Sequence, residues 1–302
     1  MQQLLEMLSP DFILRNSLYA SLILGLALPL IGVPLVVNNR TMLALALPEV
    51  SNLGVALAAL LLSAAGWWSH SGETEAHFFF YGLAGAIACM LLAVGLIRQI
   101  QRLKFEGGVA ESERGGQEDA EGSVLYAGAW AGTMAIAASN LLPELGLLSA
   151  LRGELLAVSS QLLCCVTLGF AAVLALLFIF SQPLQLLWFD ERIAYAQGLP
   201  TGKLQALNLG ILCVSIAMGS LCTGPLAVFA FLIVPPVTVL PFVKNFKTLC
   251  RYACLLGLVC GFAGFYVSYT FERLNLPTAT AQILCLVVTW ITSKFYCWIK
   301  AK

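Results

Sequence analysis

Gln182 to Lys203 reads QPLQLLWFDERIAYAQGLPTGK, a short polar interruption between two strongly apolar stretches. Leu184, Leu187 and Trp188 sit at helical spacing, ahead of a charged knot of Asp190, Glu191 and Arg192. Gly198-Leu199-Pro200 then breaks the run before Lys203. A plain connection between two membrane spans needs only turn residues and solvation. This stretch instead has the pattern of a small amphipathic surface helix. Something outside the bilayer is expected to push on it.

The flanking sequence decides what kind of molecule carries it. Of 302 residues, 60% are hydrophobic and 11% charged, and the mean hydropathy is +0.88. A soluble domain of this length cannot hide that much apolar surface, so the bilayer is the solvent for most of the chain. A spanning helix needs about 20 mostly apolar residues. Such runs fall near 17–37, 43–66, 78–97, 124–142, 159–181, 204–219, 221–243, 252–271 and 277–298. The expected fold is an all-α polytopic bundle, one transmembrane domain over 1–302, with eight or nine helices. The count turns on 204–243, a bent pair or one helix broken or re-entrant near 219–236.

The net charge is zero, yet its distribution is lopsided. Every other connection carries the cations: Arg40; Arg98, Arg102, Lys104 and Arg114; Arg192 and Lys203; Lys244, Lys247 and Arg251; Lys300 and Lys302. The opposite side keeps Arg15, Arg152 and Arg273. Lysine and arginine mark the cytoplasmic side, so the N-terminus is expected outside the cell membrane and the C-terminus inside. The leading MQQLLEMLSPDF carries Glu6 and Asp11 instead of a basic region, so no signal peptide is expected. The sequon at Asn39 falls on the inner side and is not expected to be glycosylated. The ten cysteines fall within spans or at the inner boundary (Cys250 and Cys254), where they read as small packing residues.

Residues 99–122, QIQRLKFEGGVAESERGGQEDAEG, are rich in glycine and acid and show no apolar period, which predicts a flexible cytoplasmic linker. The run from Gly198 to Leu204 is one residue short of a phosphate-binding loop and lacks the hydroxyl residue after Lys203. If ATP drives this protein, another chain binds it. Gly128-x-x-x-Gly132 and Gly257-x-x-x-Gly261 are close-packing signals between membrane helices. Pro29, Pro34, Pro225, Pro235 and Pro236 free backbone groups that a neighbour or a cavity must satisfy, which reads equally as kinks or as pathway lining.

Glu49, in ALALPEVSNLGVALA, is the outstanding intramembrane charge. A carboxylate at mid-membrane costs about 2.5–3.5 kcal/mol on insertion scales, so it faces a bundle interior or a watery path. Asn52 follows one helical turn later, and together they read as a cation-coordinating or gating pair. The bland alternative places Glu49 hydrated at the interface. On the outer side, His70, Glu73, Glu75 and His77 in SHSGETEAHF could receive a metal, although the spacing fits no structural zinc pattern. Glu144, Arg152 and Glu154 occupy the next outer connection without a spacing that names a partner. A gradient-driven secondary transporter using Glu49 as its cation or proton site is the second reading of these residues.

Taken in order, five blocks resemble the permeases of metal-type ABC importers, the family that moves zinc, manganese or iron inward. They are GLALPLIGVPLVV from Gly25 to Val37 with Arg40 and the helix that follows; Arg152 to Ser159, RGELLAVS; Asp190 to Ala194 with Gly198-Leu199-Pro200; Gly224 to Pro236; and Leu276-Pro277-Thr278. The resemblance runs from about Phe12 to Trp298. It implies a permease without bond chemistry of its own, working as a homodimer with its pathway at the interface. Cytoplasmic ATPase subunits would supply the motor and an external solute-binding protein would deliver the ion; nothing points to nucleic acid. It also implies that Leu187, Trp188, Asp190, Glu191, Arg192 and Gly198 form the ATPase-coupling element, whose apolar face docks in an ATPase groove. Gly224, Pro225 and Pro235 would line or gate the pathway. Two departures stand out. Leu45 and Glu49 occupy positions where the family commonly shows an aspartate and a histidine, and Pro236 replaces a small residue. Carboxylate without imidazole suits a harder, oxygen-preferring cation such as manganese, or a cargo outside the family's usual range.

Overall fold

The structure, a computed structural model, describes residues 15–38, 40–64, 75–106, 114–138, 160–189, 191–270 and 276–300. Eleven α-helices follow in chain order: α1 (Arg15–Val37), α2 (Thr41–Ala64), α3 (Glu75–Glu106), α4 (Arg114–Ala138), α5 (Ser160–Ile179), α6 (Ser181–Phe189), α7 (Glu191–Ala196), α8 (Thr201–Thr223), α9 (Pro225–Val239), α10 (Phe246–Thr270) and α11 (Thr278–Lys300). A 3₁₀ turn, Leu240–Phe242, closes α9. Among the described residues there is no strand. Among the described residues eight helices are long and apolar enough to cross a membrane: α1, α2, α3, α5, α8, α9 with its 3₁₀ turn, α10 and α11. Lipid cannot satisfy exposed backbone polar groups, and helices satisfy their own, which is why this composition folds this way.

The region 204–243 is two helices. Gly224 separates α8 from α9 with φ 80° and ψ 161°, a backbone conformation open in practice only to glycine. Pro225 follows as the first residue of α9, where its missing N–H costs nothing. Pro235 and Pro236 lie inside α9 without ending it.

The fourth expected span, 124–142, corresponds to α4, which begins earlier, at Arg114, and carries a polar opening, RGGQEDAEG. Residues 139–142 lie outside the described residues. Helix α4 packs along the first half of α2. A Cβ on Gly122 would stand 3.1 Å from Met42, and one on Gly132 would stand 2.9 Å from Leu53, so the two helices run parallel. The linker expectation for 99–122 meets helix on both flanks: α3 continues to Glu106 and α4 starts at Arg114. Extending a helix already nucleated by a membrane span adds one hydrogen bond per residue fixed, which weak composition does not prevent.

Helix α1 is the hub. It packs against α10, α9, α5 and α8, and its Leu24, Ala27 and Leu28 are fully buried. Between apolar helices in lipid, close packing rather than water exclusion holds the pair together. The closest approaches join a proline to a glycine across two helices. Pro29 cannot donate to the Gly25 carbonyl four residues earlier, and Gly257 of α10 sits on that carbonyl and on the Pro29 ring. Pro236 likewise frees the Leu232 carbonyl of α9, and Gly32 of α1 lies against it. Each freed oxygen is covered by a glycine Cα, a weak C–H···O arrangement that recurs between closely packed helices.

Gly261, one turn beyond Gly257, meets a polar clasp. Ser21 Oγ donates to its carbonyl at 3.3 Å, and Gln282 Nε2 of α11 donates to Ser21 Oγ at 2.6 Å and to the same carbonyl at 3.3 Å. Three helices are thereby pinned at one level. Of the second glycine pair, Gly132 packs on Leu53 whereas Gly128 has nothing within 4 Å, so only half of that motif is a contact.

These contacts set an order of mutational cost. Gly32→Ala and Gly257→Ala push a methyl into neighbouring backbone and are expected to destabilise the detergent-solubilised protein by about 1–3 kcal/mol, the usual cost of overpacking. Gly128→Ala should leave the melting temperature unchanged or slightly raised, since helix propensity favours alanine there. Thermal unfolding followed by size-exclusion chromatography checks both.

Candidate functional site

Glu49 lies eight residues into α2, about 12 Å along its axis at 1.5 Å per residue. Glu49 is 5% exposed and Asn52 is 8% exposed, so both lie inside the helix bundle. Leu45, Glu49 and Asn52 recur at i, i+4 and i+7 and share one helix face, with Leu45 half-buried. Among the described residues no hydrogen-bond or ion-pair partner to the Glu49 carboxylate is found. A buried acid group left without a partner among protein groups is costly to keep.

The next residue round the helix ties this site to α8. Ser51 and Ser220, both buried, place their hydroxyl oxygens 2.6 Å apart. Ser220 donates to the Ala217 carbonyl at 3.1 Å, which leaves Ser51 as donor in the pair. Thr223 donates to the Gly219 carbonyl at 3.0 Å, and Gly224 and Pro225 follow directly. The serine pair is therefore one turn from the α8–α9 break. Sequence spacing gave no sign of it, because Ser51 and Ser220 are 169 residues apart and each is an ordinary small membrane-helix residue. Gly224, Pro225 and Pro235 are buried, as expected of residues near a pathway or a tight packing layer.

The polar element from Gln182 to Lys203 folds as α6, α7 and the start of α8. Its apolar face is turned the other way from expectation. Leu184 is fully buried, and Leu187 and Trp188 pack against the bundle's own core instead of offering a face to a partner. Trp188 stacks at a tilt on Phe246 of α10 with ring centres 5.8 Å apart, and its Nε1 donates to Asn208 Oδ1 of α8 at 3.1 Å. Helical spacing reveals that an apolar face exists; only the tertiary fold decides what it covers. The side chains presented outward are Phe189, Ile193 and Tyr195, with Tyr195 74% exposed. Gly198 has a structural role of its own. With φ 76° it ends α7, its N–H bonding to the Tyr195 carbonyl and that of Leu199 to the Ala194 carbonyl, a helix-stopping pair of bonds.

Asp190, His70, Glu73, Glu144, Arg152 and Glu154 lie outside the described residues. Glu191 and Arg192 open α7, and Glu75 and His77 open α3. Among the described residues no three His, Cys, Asp or Glu side chains converge as a metal-holding group. Glu49 and Asn52 are thus brought together on one buried face of α2.

Comparison with known proteins agrees with this architecture. A family model described as the ABC 3 transport family matches residues 11–297. The manganese transport system membrane protein MntC of Halalkalibacterium halodurans is 24% identical over 260 residues, covering 86% of this chain and 80% of that protein. The zinc transport system membrane protein TroC of Treponema pallidum is 22% identical over 284 residues, covering 93% and 87%. A shorter match, 28% identical over 145 residues, spans about half the length of its relative, 51%. In three dimensions the chain resembles the solved structure of PsaBC from Streptococcus pneumoniae in complex with Fab, with TM-score 0.73, 22% identity and coverage of 94% of this chain and 91% of that one. A match of this extent, on a bundle with this order of helices, means that the chain belongs to the ABC 3 transport family of metal-type ABC permeases.

Proposed function

We propose that this chain is the membrane-spanning subunit of an ATP-driven importer for a divalent transition-metal cation, with Glu49 and Asn52 facing the ion's path. The observation that carries the reading is the Glu49 carboxylate, buried in the bundle and without a counter-charge among the described residues. A passing cation supplies that charge. Both groups offer oxygen, which suits manganese better than the imidazole ligands that favour zinc. Relatives named for manganese and for zinc transport support the cargo class.

The motor sits on a separate ATPase chain, since no phosphate-binding loop is present in this sequence. Its contact is the outward face of α6–α7, centred on Phe189, Ile193 and Tyr195, flanked by Asp190, Glu191 and Arg192. A second copy of the chain completes the pathway and an external solute-binding protein delivers the ion. Counting α4 as a full traverse makes nine crossings, which puts the termini on opposite sides. The distribution of lysine and arginine then sets the N-terminus outside and the C-terminus in the cytoplasm.

Glu49→Gln keeps the shape and removes the charge. Complexes reconstituted with the ATPase chain are expected to assemble normally but to lose manganese uptake by tenfold or more, about 1.4 kcal/mol of differential stabilisation. Unchanged uptake removes Glu49 from the path. Tyr195→Glu places a charge on the proposed contact, and is expected to abolish co-elution with the ATPase chain while leaving the isolated permease folded. Uptake driven by an ion gradient with this chain alone would favour the secondary-transporter reading instead.

A further inference from the structure

We infer that α8 is the transmission rod of this transporter, gripped at two levels by Trp188–Asn208 and by Ser51–Ser220, and that these four are positioning residues for transport. The inference rests on the ATP-driven reading above. Its basis is that one helix carries both of the side-chain hydrogen bonds that matter. Near its start, Asn208 accepts from the Trp188 indole of α6 at 3.1 Å. Near its end, Ser220 receives the hydroxyl of Ser51, which neighbours Asn52 on α2. The twelve residue steps from Asn208 to Ser220 correspond to about 18 Å of helix.

The rod is built to move as a unit. Helix α8 contains no proline from Thr201 to Thr223. It is severed from α9 at Gly224, so a displacement of α8 need not drag α9 with it. Its other end is joined to α7 through Leu199 and Pro200, immediately after the Gly198 helix stop.

Trp188 also roofs a small cavity of about 20 Å³ lined by Ile31, Pro34, Leu177, Asn208 and Leu212. Beside that space the indole is held by its hydrogen bond, by Phe246 and by packing against the core. A push on the exposed face of α6–α7 reaches Trp188 first, because Phe189 beside it contacts the same Phe246 ring at 5.4 Å. From there the hydrogen bond carries the displacement to α8, and the serine pair carries it to the helix bearing Glu49.

The test separates coupling from stability. Trp188→Phe keeps an aromatic ring near Phe246 and removes the indole N–H together with part of the ring's volume; Asn208→Ala removes the acceptor. The full complex in proteoliposomes is assayed for ATP hydrolysis and manganese uptake. Each single variant should hydrolyse ATP at near the wild-type rate while uptake per ATP falls about fivefold or more, in the range of ordinary allosteric couplings. The double variant should fall no further, since both changes break one bond. Ser220→Ala should give the same split from the other level.

A merely structural role would lower hydrolysis and uptake together, and that outcome overturns the inference. So does an unchanged ratio in Trp188→Phe, or a double variant whose losses multiply. A wild-type complex with no ATP-dependent uptake would sink the importer reading and this inference with it; normal wild-type uptake with a normal ratio in the variants sinks this inference alone.

Discussion

Helix α1 and its neighbours touch backbone to backbone, and the rest of the bundle is hung on that contact. In lipid there is no gain from hiding one greasy helix behind another, so contact must come from fit. Here the fit uses two residue types that each weaken an isolated helix. Proline leaves a carbonyl without its donor, and glycine leaves a gap where a side chain would stand. At Gly25 with Gly257, and at Leu232 with Gly32, the orphaned carbonyl of one helix occupies the gap of the other. Substituting either glycine fills a space already taken by backbone, which cannot move aside as a long side chain could.

With α1 held against α9 and α10, the polar residues of the interior are placed without loops. The Ser21–Gln282–Gly261 clasp fixes α11 at one level, and Ser51–Ser220 fixes α2 against α8 at another. Glu49 then projects from a helix whose rotation about its own axis is already specified. On the proposed function that precision matters, because a carboxylate free to rotate toward the headgroups would find water instead of an ion. The same economy governs the polar element. The apolar face of α6 is spent on anchoring it to its own bundle.

Much of this was legible in the chain. Hydropathy located the eight apolar spans, most of them to within a few residues, but set the break between α8 and α9 at residue 220, four residues before Gly224. Glu49 was found by its cost alone. What was missed has physical causes. The direction of the Leu184–Leu187–Trp188 face is a tertiary fact, because periodicity is the same whether a helix faces its own core or a partner. Gly128 and Gly132 look alike in sequence, yet only the second has a neighbour close enough to use the space. The helical turns of 98–106 and 114–122 were hidden by a composition that would not nucleate a helix but does not stop one. Ser51 and Ser220 carry no local signature at all; their partnership exists only once α2 and α8 are side by side.

Helix α3 has a consequence for how the molecule floats. Its apolar window, Phe79–Ile97, is 19 residues or about 28 Å long, close to the roughly 30 Å of a bilayer's hydrocarbon core. The helix then runs on through Arg98, Arg102 and Lys104 to Glu106, and α4 returns through an equally polar turn from Arg114 to Gly122. Neither stretch can sink into hydrocarbon, so the change from apolar to polar on these two helices acts as a waterline. It fixes the depth of the whole bundle, and a membrane thicker than this line allows must thin around the protein, because the protein cannot settle lower.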